Sequence, residues 1–125
     1  MKNIIISVSV IILIFITVAV ISISLGNTLL YFEGAIKSYE IKENGDYSKI
    51  EADFNGYYRE FREKIAFLSL LMPDDILSEI EGGYLDIICY AKAKSYDGVL
   101  TSQARLGNNL ENARKLTTVG LMSIF

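Results

Sequence analysis

The sequence predicts an all-α protein: an N-terminal transmembrane helix followed by a small antiparallel bundle of three to four helices. Three observations lead there. Residues 4–25, IIISVSVIILIFITVAVISISL, run for 22 positions without a charge. Beyond them, large apolar residues recur every three or four positions, the period of one helix face. The runs are separated by short segments rich in turn residues, ENGD, MPDD and KSYDG. With 125 residues, 51% of them hydrophobic, the chain is the size of one domain with an anchor.

As a helix, the apolar run measures ~33 Å at ~1.5 Å per residue, enough to cross a hydrocarbon core of ~30 Å. Its β-branched residues would favour a strand in water. In lipid a lone strand leaves its backbone groups unpaired while a helix pairs its own, so helix wins. Ser7, Ser9, Thr17, Ser22 and Ser24 fit this reading, because hydroxyls bond back to the carbonyls of their own helix. The run exceeds the ~7–15 apolar residues of a cleaved signal peptide, which favours a retained anchor; Ser22-Ile23-Ser24 is a small-x-small pattern that keeps cleavage as the alternative. The run has no glycine and so no small-residue dimerisation motif. Lys2 precedes it and the next cation is Lys37, so the positive-inside bias puts the N-terminus in the cytoplasm and the remainder outside the cell membrane. The chain then divides into an anchor over 1–25, a membrane-proximal helix over 26–43 and a helical bundle over 44–125.

The membrane-proximal helix carries a stripe of Leu29, Leu30, Phe32, Ile36, Tyr39 and Ile41. Gly26-Asn27 is a place for a bend at the membrane surface, the alternative being a helix that continues from the span, and Tyr31 and Phe32 sit where interfacial aromatics are favoured. ENGD ends this helix, with Asp46 or Ser48 as cap of the next. In that next helix Tyr47, Ile50, Phe54, Tyr57, Phe61, Ile65, Leu68 and Met72 follow one face over more than six turns. Arg59, Glu60, Arg62, Glu63 and Lys64 fall on the other side, with Glu60 and Lys64 as an i,i+4 pair. The mixture of Tyr57, Tyr58, Arg59, Phe61 and Arg62 therefore splits into a core face and a wet face. A base-stacking surface is the weaker reading, since it calls for a basic domain. Tyr58 is off the stripe and stands as a candidate partner-contact residue.

Pro73 and the acids Asp74 and Asp75 suit the start of a third helix, with Ile76, Ile80, Tyr84, Ile87, Ile88 and Ala91 as its stripe. Gly82-Gly83 inside it signals close approach of a neighbouring helix or a local bend. The lone Cys89 lies in the apolar run LDIICYAKA and is expected to pack in the core. Ser95 or Asp97 caps a last helix striped by Val99, Gln103, Leu106, Leu110, Ala113 and Thr117, in which Gln103 and Thr117 interrupt the apolar face. Gly120 is expected to stop it. The apolar tail Leu121, Met122, Ile124 and Phe125 then either tucks under the bundle or contacts a partner. NGDYSKI and KSYDGVL echo each other about 50 residues apart, as two packed helical hairpins would.

The composition weighs against several functions. There is no histidine, which removes the commonest general base and metal ligand. One cysteine builds neither a disulfide nor a structural zinc site. No phosphate-loop or dinucleotide pattern occurs. Asp74, Asp75, Glu79 and Glu81 lack the order of a calcium loop and read as helix-start and surface charge. Past Leu25 the chain carries 11 of its 12 Lys and Arg residues and all 15 acids, a net charge of −4. Such a domain has no electrostatic reason to bind nucleic acid. No catalytic residue, cofactor or metal is expected.

The span, NGDYSKIEADFNGYYREF, PDDILSEIE, AKAKSYDGVLTSQARLGNNLE and the closing LMSIF, in that order, resemble a family of small, uncharacterised single-pass membrane proteins of Gram-positive spore-forming bacteria, a domain of unknown function. The resemblance covers nearly the whole chain and implies the same anchored helical architecture in a bacterial envelope, without an established activity. The expected function is a non-enzymatic membrane-anchored adaptor or accessory subunit that binds another membrane or envelope protein. Two alternatives stand: an extracytoplasmic ligand sensor with Tyr57, Tyr84 and Cys89 as pocket walls, and a small phage-derived membrane effector.

Overall fold

A computed structural model describes residues 1–70 and 72–124, the side chains of residues 120–124 excepted. The described residues form four helices and no strand: α1 (Lys2–Lys37), α2 (Tyr47–Leu68), α3 (Asp74–Lys92) and α4 (Tyr96–Ile124). The long apolar α1 packs against a bundle of the other three. Neighbouring helices run antiparallel, as cross-helix pairs show: Phe32 meets Phe61 and Tyr39 meets Phe54 between α1 and α2; Glu33 and Lys37 of α1 meet Arg114 and Glu111 of α4.

α1 packs extensively on α4, α4 on α3 and α3 on α2, whereas α1 touches α2 only lightly. The bundle therefore has one loose seam, between its first two helices. Aromatic rings fill it edge to face. Tyr39 lies 4.9 Å from Phe54, Phe54 lies 5.5 Å from Tyr57, and Phe32 lies 6.1 Å from Phe61. Such pairs contribute ~0.5–1.5 kcal/mol each beyond the area they bury.

The core follows the stripes read from the sequence. Leu29, Phe32 and Ile36, then Ile50, Phe54, Phe61 and Leu68, then Ile80, Tyr84 and Ile87, then Val99, Leu106, Leu110 and Ala113 are buried. Leu25, at the end of the apolar run, and Leu77 join them. Residues 1–17 are exposed throughout. α1 is long and apolar enough to cross a membrane.

The helix ends have identifiable causes. Asp46 caps α2, its carboxylate accepting from the amides of Ser48 and Lys49 at 3.0 and 3.2 Å. Ser95 caps α4 through its hydroxyl oxygen, which accepts from the Gly98 amide at 3.2 Å. Lys94, with φ 55°, turns the chain out of α3, and Ser95 N–H closes that turn on the Tyr90 carbonyl.

Three expectations are corrected. α1 ends at Lys37, ahead of the ENGD turn. It is unbroken at Gly26-Asn27, so the membrane-proximal helix continues from the span, one of the two arrangements expected. α4 passes Gly120 and continues to Ile124, because one interior glycine costs only ~0.5–1 kcal/mol, too little to end a packed helix. Cys89 is exposed rather than buried. It sits one residue past Ile88, about 100° around a helix of 3.6 residues per turn, and so turns off the core face.

Candidate interaction surface

Where α1 leaves the apolar run, its outward side stays apolar. Val20, Ile23, Leu30 and Tyr31 are exposed there, Leu30 at 53% and Tyr31 at 58%. With Asn27 and Gly34 they follow helical spacing, which makes one continuous ridge. A groove flanks the ridge on each side, and Asn27 lines both.

The first groove, about 380 Å³, lies on the loose α1–α2 seam and is lined by Asn27, Thr28, Tyr31, Phe32, Glu60, Glu63 and Lys64. Tyr31 donates its hydroxyl proton to Glu60 across the groove at 3.2 Å. That carboxylate raises the Tyr31 pKa, first through the hydrogen bond and then through its charge. Glu60, read from the sequence as the i,i+4 partner of Lys64, is thus engaged between helices. The second groove, about 270 Å³, lies between α1 and α4 and is lined by Ser22, Ile23, Gly26, Asn27, Leu30, Arg114, Thr117 and Thr118.

Above the second groove a charged cluster holds α1 to α4. Glu33 is only 6% exposed. It accepts from Arg114 Nε at 2.6 Å and from Lys37 Nζ at 3.1 Å. Lys37 also reaches Glu111 at 3.0 Å, and Glu111 meets Lys115 at 3.3 Å. The Arg114 guanidinium holds the Glu33 carboxyl below the usual carboxylate range. Burial pulls the other way and loses to the two cations. Glu111 is likewise lowered, chiefly by the Lys37 hydrogen bond.

Gln103, read as an interruption of α4, has its own task. Its side-chain amide donates to the carbonyls of Ile36 at 2.8 Å and Tyr39 at 2.7 Å. Ile36 lies in the last turn of α1, where its carbonyl otherwise receives only the Tyr39 amide at 3.3 Å, and Tyr39 lies just beyond the helix end. α4 thereby caps α1.

No family model, curated protein or solved structure matches this chain. The reading of its surface therefore rests on its own residues. Among the described residues, no three His, Cys, Asp or Glu side chains gather as a metal site would require.

The residues singled out in the sequence fall in different places. Tyr58 is half-buried between α2 and α3, and its hydroxyl donates to Glu81 Oε1 at 2.9 Å. Arg62 reaches the same oxygen at 3.3 Å. Burial, then Glu81, raise the Tyr58 pKa. Tyr58 thus joins two helices of the bundle. The side chains of Leu121, Met122, Ile124 and Phe125 lie outside the described residues. Of the three pocket walls, Tyr84 is fully buried, Tyr57 is half-buried against Tyr39 and Phe54, and Cys89 is exposed. Tyr84 and Cys89 are five residues apart, about 140° around the helix, and do not share a wall. The ridge and its two grooves were not singled out. The signal for them was that Leu30 and Tyr31 cannot share the buried side that Leu29, Phe32 and Ile36 occupy.

Proposed function

We propose that this protein is a non-enzymatic, membrane-anchored accessory subunit that docks another membrane protein along the outward ridge of α1. The carrying observation is that one unbroken helix holds both the apolar run and an exposed apolar face at Ile23, Leu30 and Tyr31. A partner helix lying beside the span meets the same face both within the bilayer and above it. The flanking grooves leave room for its side chains. In this reading the N-terminus is cytoplasmic and the bundle lies outside, as the single lysine before the run favours.

Co-purification of the N-terminally tagged full chain, crosslinked lightly in mild detergent, tests the proposal. Wild type is expected to bring down a stoichiometric membrane protein, and Leu30→Glu to lose it without a change in melting temperature, since Leu30 is exposed. A clean wild-type preparation overturns the reading.

One observation favours a second reading, ligand sensing. The α1–α2 groove joins an apolar wall at Phe32 to polar groups on Tyr31, Glu60 and Lys64, the mixture small-molecule sites use. A ligand held there would raise the melting temperature of wild type and not of Tyr31→Ala.

A further inference from the structure

We propose that the span-side end of the bundle is itself seated in the bilayer, so that Leu70 after α2 and Val119 on α4 contact lipid alongside α1. This rests on the reading of α1 as a retained membrane span.

The first argument is length. The part of the apolar run that is exposed at every position, residues 4–17, covers ~21 Å at ~1.5 Å per residue. A hydrocarbon core measures ~30 Å. Some six further residues must enter it, and these reach the stretch where Ile21 is half-buried and Ser22 is buried. Whatever covers Ile21 and Ser22 enters with them.

The second argument is charge. The α1–α2 groove sets Lys64 beside Asn27 and Thr28. α2 continues toward the span for another turn, ~6 Å, before its end at Leu68. Residues 65–73 carry no charge, and Leu70 is 59% exposed. On α4, Thr117 and Thr118 share a groove with Ser22 and Ile23. The described side chains after Lys115, residues 116–119, carry no charge, and Val119 is 58% exposed. Three separate segments thus lose their charges where they come level with the end of the span. Elsewhere on the bundle charged residues are frequent.

The third argument is polar satisfaction. Exposed hydroxyls are tolerated in lipid only when paired internally. Ser69 donates to the Ala66 carbonyl at 2.7 Å, Thr117 to Ala113 at 3.1 Å and Thr118 to Arg114 at 3.2 Å. The amides of Ser69, Leu70 and Met72 are also paired, with the carbonyls of Ile65, Phe67 and Leu68. In a water-facing turn, solvent would serve these groups equally well.

The chain has no tryptophan, so a single introduced one reports a single site. The full chain is reconstituted in phosphatidylcholine vesicles with or without bromine on the acyl chains, which quenches nearby indoles. Ile12→Trp marks mid-span, Leu70→Trp and Val119→Trp mark the seated end, and Tyr90→Trp marks the far end beside Gly98. The Ile12, Leu70 and Val119 variants are expected to lose a large share of their emission, because their indoles would lie among the brominated acyl chains. Tyr90→Trp is expected to keep its emission. Quenching of Ile12→Trp alone overturns the seat and leaves the anchor standing. An unquenched Ile12→Trp overturns the anchor, and the seat with it. Equal helical content by circular dichroism confirms that each variant has folded.

Discussion

Arg114 donates from Nε to Glu33 Oε2 at 2.6 Å, joining α4 to α1 just above the apolar run. The two residues lie 81 positions apart, and Glu33 is the first charge after Lys2. A nearly buried carboxylate costs stability unless it is paired and hydrogen-bonded, and Arg114 with Lys37 meets that need. Removing only the arginine leaves the buried carboxylate with Lys37 alone, itself shared with Glu111. Arg114→Leu is therefore expected to lower the melting temperature of the full chain in detergent, and Glu33→Leu added to it to recover at least part of the loss. A double variant less stable than Arg114→Leu counts against the pairing.

The same pair gives a pH dependence with a definite sign. The folded-state pKa of Glu33 lies below its ordinary value. The unfolded chain therefore binds that proton more readily, and the contribution is present above the ordinary glutamate value, ~4.3. It is lost as pH falls through that value toward the folded one. Melting temperatures between pH 7 and pH 3 are expected to fall more steeply for wild type than for Glu33→Gln, which starts lower at pH 7. Other carboxylates, Glu111 among them, lower both curves, so the difference between the curves is the readout. Parallel curves reject the assignment.

Gln103 closes the end of α1 with two hydrogen bonds, at 2.8 and 2.7 Å. Gln103→Leu keeps most of the volume and removes both donors. The Tyr39 carbonyl then loses this partner and the Ile36 carbonyl keeps only the Tyr39 amide at 3.3 Å, at a net ~0.5–1.5 kcal/mol per bond lost. The expected result is a loss of about 2 kcal/mol in urea unfolding of the detergent-solubilised chain. Gln103→Glu is expected to be worse, since a carboxylate placed against two carbonyls repels them. Wild-type stability in both variants would remove the cap from the account.

Periodicity made the core legible because it is a local property. The steps from Tyr47 to Met72 and from Tyr84 to Ala91 needed only the helical repeat. Asp46 and Ser95 were legible as caps for the same reason. Glu33, Arg114 and Gln103 were not, since nothing local distinguishes them from other polar residues on α1 and α4. Their roles arise when antiparallel packing brings positions 33 and 114, or 36 and 103, together. Cys89 was misread from composition although the phase of Ile87, Ile88 and Ala91 already turned it outward. The ridge at Leu30 and Tyr31 was half legible: the apolar residues were noticed, and their division between two sides of α1 was not.

Tyr84 packs against Phe61 at a centroid distance of 5.4 Å, and its hydroxyl is buried without a hydrogen-bond partner among the described residues. Burial drives its pKa upward. A buried hydroxyl without a partner costs ~1–3 kcal/mol. Tyr84→Phe keeps the ring and removes that group, so stability is expected to rise by about 1 kcal/mol, read as a higher urea midpoint with unchanged slope. A loss would mean that the hydroxyl is satisfied in solution.

Gly82 and Gly83 are adjacent and are expected to respond to alanine with opposite signs. A Cβ on Gly82 meets nothing within 4 Å, whereas one on Gly83 comes within 3.0 and 3.2 Å of Leu106 Cδ1 and Cβ. Leu106 is fully buried, and its Cβ moves only with the α4 backbone. Gly83 therefore lets α3 and α4 approach closely, and Gly82 serves no such contact. Gly82→Ala is expected to stabilise by ~0.5–1 kcal/mol through reduced freedom of the unfolded chain. Gly83→Ala is expected to destabilise by ~1–3 kcal/mol, as overpacking in a filled core does. Urea unfolding of the two variants side by side checks this. Stabilisation by both would show that the α3–α4 contact gives way easily, and destabilisation by both would place a second close neighbour at Gly82.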